Sequence, residues 1–69
     1  MNKLNKIEEF QLFCLENYKA EKKITGKQAL DEFKRFGVFE FLELGYEVLH
    51  TQSLNYINSE IEQFITSSK

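Results

Sequence analysis

The chain contains no proline, three glycines, one cysteine and one histidine among 69 residues. Without proline, no helix is forced to break by a missing backbone donor. Scarce glycine confines sharp corners to a few places, so the composition fits a chain that is helical nearly throughout. A lone Cys14 excludes an intramolecular disulfide, and a lone His50 leaves no sequence-evident zinc site. No metal ligand set and no cofactor-binding motif is expected. No apolar run approaches the roughly 20 residues of a membrane-crossing helix. The amino terminus, MNKLNKIEEF, is too polar for a signal peptide. These absences lead to an expected cytoplasmic location without a membrane partner. Basic charge is not in excess either: the formal net charge is −2 and the sequence pI is about 5.3. A phosphate backbone repels such a chain overall, so nucleic acid is not an expected partner.

What the chain has is aromatic hydrocarbon. Seven Phe and three Tyr are carried in one small domain expected to span residues 1–69. Each aromatic side chain buries roughly 150–250 Å². A chain this short buries only about 60% of the surface it exposes when unfolded. Dense packing or association with another chain must therefore supply the stability that disulfides and metals do not.

Hydrophobic spacing predicts four helices. The first runs from about Asn5 to Lys22, with Leu4, Ile7, Phe10, Cys14, Leu15 and Tyr18 on one face and Leu12 and Phe13 off it. Thr25-Gly26-Lys27-Gln28 fits a capping box and opens the second helix. Its apolar face is Ala29, Leu30, Phe33 and Phe36, and Gly37 is placed to end it in the left-handed conformation.

The third helix is predicted over Val38–Thr51, VFEFLELGYEVLHT, apolar around most of its circumference. Val38, Leu42, Gly45 and Leu49 centre one face. Phe41 and Val48 flank it on one side, Phe39 and Tyr46 on the other. Only Glu40, Glu43, Glu47 and His50 form a polar strip. So apolar a helix needs protein on several sides, which places it at the centre of the fold. A polar break with Thr51 or Ser53 as N-cap precedes the last helix, striped by Leu54, Ile57, Ile61, Phe64 and Ile65. The expected fold is all-α, a compact four-helix domain with helix 3 central.

No constellation points to catalysis, and the sequence reads as a non-enzymatic chain. Cys14 falls mid-helix on an apolar face, far from the cations or helix N-terminus that activate a thiol. His50 ends the third helix, where capping or a local hydrogen bond is the expected role and a ligand contact the alternative. Gly26-Lys27 lacks the earlier glycine and the strand of a phosphate-binding loop. Lys19, Lys22, Lys23, Lys27, Lys34 and Arg35 group on the first two helices and read as a solvated surface. A helix-turn-helix reading fails because its second helix would present Glu40, Glu43 and Glu47 to phosphates. The acidic strip is the better candidate. Leu12, Phe13, Phe39, Leu44 and Tyr56 do not fit the four-helix core, and apolar residues gathered on one surface mark a partner site.

Tyr46-Glu47-x-Leu49-His50-Thr51, then Tyr56-Ile57 and Glu60-Ile61-x-x-Phe64-Ile65, resemble an uncharacterised bacterial family of roughly seventy-residue helical proteins, a domain of unknown function. Phe13-Cys14, Tyr18-Lys19, Thr25-Gly26-Lys27 and Phe36-Gly37-Val38 extend the resemblance over nearly the whole chain. The family pattern often has glycine where this chain has Ser53, which leaves the start of the last helix open. Members are often encoded beside larger proteins, some similar to ADP-ribosyltransferase-type toxins. The resemblance implies an accessory or antitoxin-like subunit and supplies no catalytic residues.

The sequence thus leads to a protein-binding module with a larger protein partner, contacted through Phe39, Glu43, Glu47, His50 and Tyr56. Self-association as a homodimer is the alternative, and a nucleic-acid-binding helical domain the weakest reading.

Overall fold

The computed structural model describes residues 4–68. Every regular element among them is helical: α1 Lys6–Lys22, α2 Gly26–Arg35, α3 Val38–Leu44, α4 Tyr46–Leu49 and α5 Leu54–Ser68. The fold is all-α, as the spacing predicts, but with five helices in place of four.

Local chemistry sets most of the boundaries. Asn5 caps α1: its Oδ1 accepts from the Glu8 N–H at 2.7 Å, and Glu8 Oε1 accepts from the Asn5 N–H at 3.0 Å. This reciprocal cap leaves Leu4 outside the helix and 48% exposed, so the buried face of α1 begins later than expected, at half-buried Ile7 and Phe10. Thr25 and Gln28 form the predicted capping box of α2. Gly37 turns the chain at φ 69°, a conformation that costs glycine nothing. Ser53 Oγ accepts from the Tyr56 N–H at 3.2 Å and so opens α5, while the Thr51 hydroxyl donates back to the Val48 carbonyl.

The expected Val38–Thr51 helix is broken at Gly45. The Gly45 N–H closes α3 on the Phe41 carbonyl, and the Gly45 carbonyl then receives both Val48 and Leu49, which starts a new turn. The cause is packing. Leu49 folds so closely over Gly45 that a Cβ there would sit 2.9 Å from Leu49 Cδ1 and 3.3 Å from the Phe41 carbonyl oxygen. Burying Leu49 takes precedence over continuing the rod.

The core is one cluster drawn from all five helices: Cys14, Leu15, Tyr18, Ala29, Phe33, Val38, Leu42, Leu49, Ile57, Ile61 and Ile65. The α3 helix packs against α1, α2 and α5, and its Val38 and Leu42 are fully buried. The half-buried ring of Phe10 meets Tyr46 edge-on at 5.4 Å and ties α4 to α1. Among the described residues two side-chain to side-chain links cross between helices. Tyr18 donates to Glu32 at 2.6 Å, and Lys22 pairs with Glu62 at 2.7 Å. Glu62 also accepts from the Asn58 Nδ2 at 3.2 Å, whereas the buried Asn58 Oδ1 has no partner among the described residues. No helix of the described residues is long and apolar enough to cross a membrane.

Candidate functional site

Residues Gly37, Glu40, Phe41, Leu44 and Gly45 recur at three- and four-residue spacing and therefore line one side of α3. That side is not covered. It forms one wall of an open groove of about 500 Å³ whose other wall is Phe64 of α5, with Phe36 at its head. The Phe41 and Phe64 rings form its floor, stacked at 4.4 Å with 19° between their planes. The Arg35 guanidinium lies 5.4 Å from the Phe36 ring. Leu44 stands on the rim, 87% exposed, and Val48 follows one turn on at 63%.

Glu40, Glu43 and Glu47 share this outward ridge and are all exposed. Among the described residues none of them pairs with a cation; the ion pairs found are Lys19 with Glu16 and Lys22 with Glu62. Wet aliphatic side chains and unpaired carboxylates thus alternate along α3 and α4.

A second depression lies between α2 and α5 and differs in kind. Its smaller part, about 240 Å³, is lined by Tyr18, Lys22, Glu32 and Glu62, whose polar atoms already bond one another. The larger part, about 770 Å³, is bordered by Glu32, Arg35, Phe36 and Ser68 and is mainly polar. Solvated charge there carries no cost that a partner would relieve. The α3 groove holds the hydrocarbon.

The five residues singled out from the sequence do not form one patch. Glu43 and Glu47 stand on the ridge as expected. His50 is exposed at the end of α4, where its Nδ1 donates to the Tyr46 carbonyl at 2.6 Å and its ring stacks on Tyr46 at 4.4 Å, the local hydrogen-bonding role anticipated. Tyr56 is exposed on the first turn of α5, and no hydrogen bond or ring contact joins it to the other four among the described residues. Phe39 requires correction. It is half-buried against the core, edge-on to Phe33 at 5.3 Å, and its carbonyl accepts from the Gln11 side chain at 2.7 Å. Its ring faces α2 and leaves only part of its surface open to a partner. The residues that line the groove instead, Phe36, Phe41 and Phe64, each read in sequence as part of a core face.

Burial pushes the Cys14 thiol up to about 12, which keeps it protonated and inert at neutral pH. No three His, Cys, Asp or Glu side chains among the described residues converge as a metal site.

No curated protein and no solved structure matches this chain. A family model does, over residues 9–67, a span that takes in the helices lining the groove, the ridge and the core. The chain therefore belongs to the family described as "Protein of unknown function (DUF3791)".

Proposed function

We propose that this chain is a non-enzymatic protein-binding module, a small accessory subunit that docks a larger protein through the α3 groove and its acidic ridge. One observation carries the reading. Leu44 and Val48 stand in water beside a groove floored by stacked Phe rings, hydrocarbon that the described residues leave uncovered. Burying apolar surface releases about 25 cal/mol per Å², so a partner that covers this face gains where the isolated chain does not. The ridge carboxylates then tune encounter rate and partner choice.

Cys14, whose thiol could have carried chemistry, is buried, and His50 uses Nδ1 to bond the Tyr46 carbonyl while its ring stays exposed. Self-association through the same face is the less favoured reading, because a two-fold contact brings the acidic ridge into one interface twice. Nucleic acid is disfavoured by the same carboxylates. The accessory or antitoxin-like role that the family resemblance implies is compatible with a subunit that acts by contact.

The test is a photo-crosslinking residue introduced at position 44 of the full chain in its source cell, with position 21 as control, since Glu21 is exposed on α1 away from the groove. One larger protein should be captured at 44, not at 21, and capture should vanish when Phe64, in the opposite wall, is changed to Glu in a chain that remains helical. Equal capture at both positions, or none at 44, would remove the groove from the account.

A further inference from the structure

We infer that the occupant of the groove is an amphipathic α-helix of the partner protein, with an apolar stripe flanked by lysine or arginine. This rests on the reading of the α3 face as a docking surface and names the chemistry of what docks there.

The shape of the groove comes first. Its α3 wall runs from Gly37 to Gly45 along the helix axis, roughly 12 Å at 1.5 Å per residue. That is about two helical turns, the length over which a docked helix presents anchors at i, i+3 or i+4, and i+7.

Hydrogen bonding then selects the form of the chain. The side chains of Phe36, Phe41, Leu44 and Phe64 offer neither donor nor acceptor. The two glycines in the wall have spent their backbone groups. Gly37 donates to the Lys34 carbonyl and accepts from Phe41, while Gly45 donates to Phe41 and accepts from Val48 and Leu49. An extended segment laid flat here would strand the N–H and C=O groups it turns toward the floor, and each buried orphan costs about 1–3 kcal/mol. No strand is present among the described residues to offer a sheet edge instead. A helix arrives with its backbone satisfied internally, so it covers this floor without leaving polar groups unpaired.

Charge sets the flanks. Glu40 stands in the wall and Glu43 and Glu47 beside it, all without a cation among the described residues. From Val38 to Ser68 every charged side chain is acidic. A basic border on the incoming helix neutralises the ridge, whereas an acidic border, or the ridge of a second copy, opposes it.

Two synthetic helical peptides of one leucine stripe, one bordered by Lys and the other by Glu, test this against the isotope-labelled full chain by amide chemical shifts. The Lys peptide should move the amides of Phe36, Gly37, Phe41, Leu44 and Gly45 and bind at least about tenfold more tightly than the Glu peptide at low ionic strength, an advantage that shrinks with added salt. Glu40→Gln with Glu43→Gln should narrow the difference without altering the unliganded spectrum elsewhere. Equal affinity for the two peptides, or shifts confined to another face, overturns the inference. So do concentration-dependent shifts of the same amides without peptide, which identify a second copy as the occupant. The two levels separate cleanly. A position-44 crosslink that maps to an extended or acidic segment ends the helix inference and leaves the partner reading intact. Peptide binding with no crosslink at 44 shows that the groove accepts a basic helix but ends the claim that a partner protein docks there.

Discussion

Leu42 and Leu44 lie two positions apart on one helix and experience opposite environments, the first fully buried and the second 87% exposed. Truncating Leu42 to Ala leaves a cavity within the core cluster and should cost about 2–5 kcal/mol. The same change at Leu44 should fall within about 0.5 kcal/mol, because nothing there collapses. Urea unfolding of the two variants measures both, and a comparable loss at the two sites contradicts this orientation of α3. A second prediction concerns Cys14 and Tyr18, whose side chains keep their protons more tightly when folded. The Cys14 thiol moves from 9.0 to about 12 through burial. The Tyr18 phenol also moves up, through burial first and then through its hydrogen bond to Glu32 and the charges of Glu32 and Glu62. Above pH 9 the unfolded thiol gives up its proton while the folded one does not, so the unfolded state binds fewer protons and stability falls as pH rises. Below pH 9 neither group contributes a slope. Each group adds at most about 1.4 kcal/mol per pH unit. Stability should thus decline from pH 9 upward, with Cys14→Ala flattening the first part of the decline and Tyr18→Phe the later part. An unchanged slope in Cys14→Ala would falsify the assignment of that thiol.

At the scale of the helices, Gly45 separates α3 from α4 and should resist substitution. Alanine there gains about 1 kcal/mol in helix propensity. Against that stands a methyl 2.9 Å from the Cδ1 of Leu49, itself 6% exposed and closely packed, and 3.3 Å from a backbone oxygen that cannot yield. Overpacking of this kind costs about 1–3 kcal/mol, so Gly45→Ala should be a net loss of up to about 2 kcal/mol by thermal or urea unfolding. A more stable Gly45→Ala variant would mean that the break is incidental.

The same elements show what the sequence made legible. Thr25-Gln28, Gly37 and Ser53 act where their chemistry places them, and Val38, Leu42 and Leu49 form the buried face that the spacing predicts. The break at Gly45 was not legible, because a helical wheel assumes one continuous axis and cannot see the side chain of Leu49 folding back. Phe39 and Leu44 both stood at the margin of the apolar face. Only the placement of α1 and α2 on one side decides that Phe39 turns inward and Leu44 outward. Within the candidate site, the exposure of Glu43 and Glu47 could be read directly. The groove could not, since Phe36, Phe41 and Phe64 each belong to a plausible core face and become a surface only where three helices meet at the edge of the fold.

Across the whole molecule, charge and hydrocarbon are unevenly distributed. The basic residues from Lys19 to Arg35 lie on the α1–α2 side, partly neutralised by Glu16 and Glu62. The α3–α4 ridge carries only carboxylates and is where the hydrocarbon emerges. The two halves are joined through one small core, and α5 closes it against both α1 and α3 with Ile57, Ile61 and Ile65. Within that seam Asn58 is 6% exposed, and its amide oxygen has no donor among the described residues while its nitrogen serves Glu62. A stranded polar atom costs about 1–3 kcal/mol, and an apolar replacement of similar shape removes that cost. Asn58→Leu should therefore raise the melting temperature of the chain, and a lowered one would show that the oxygen is satisfied by bound solvent. Should it rise, the last helix is held less firmly than its length allows. The chain's lifetime in the folded form could then be extended by one isosteric exchange, at a position that touches neither ridge nor groove.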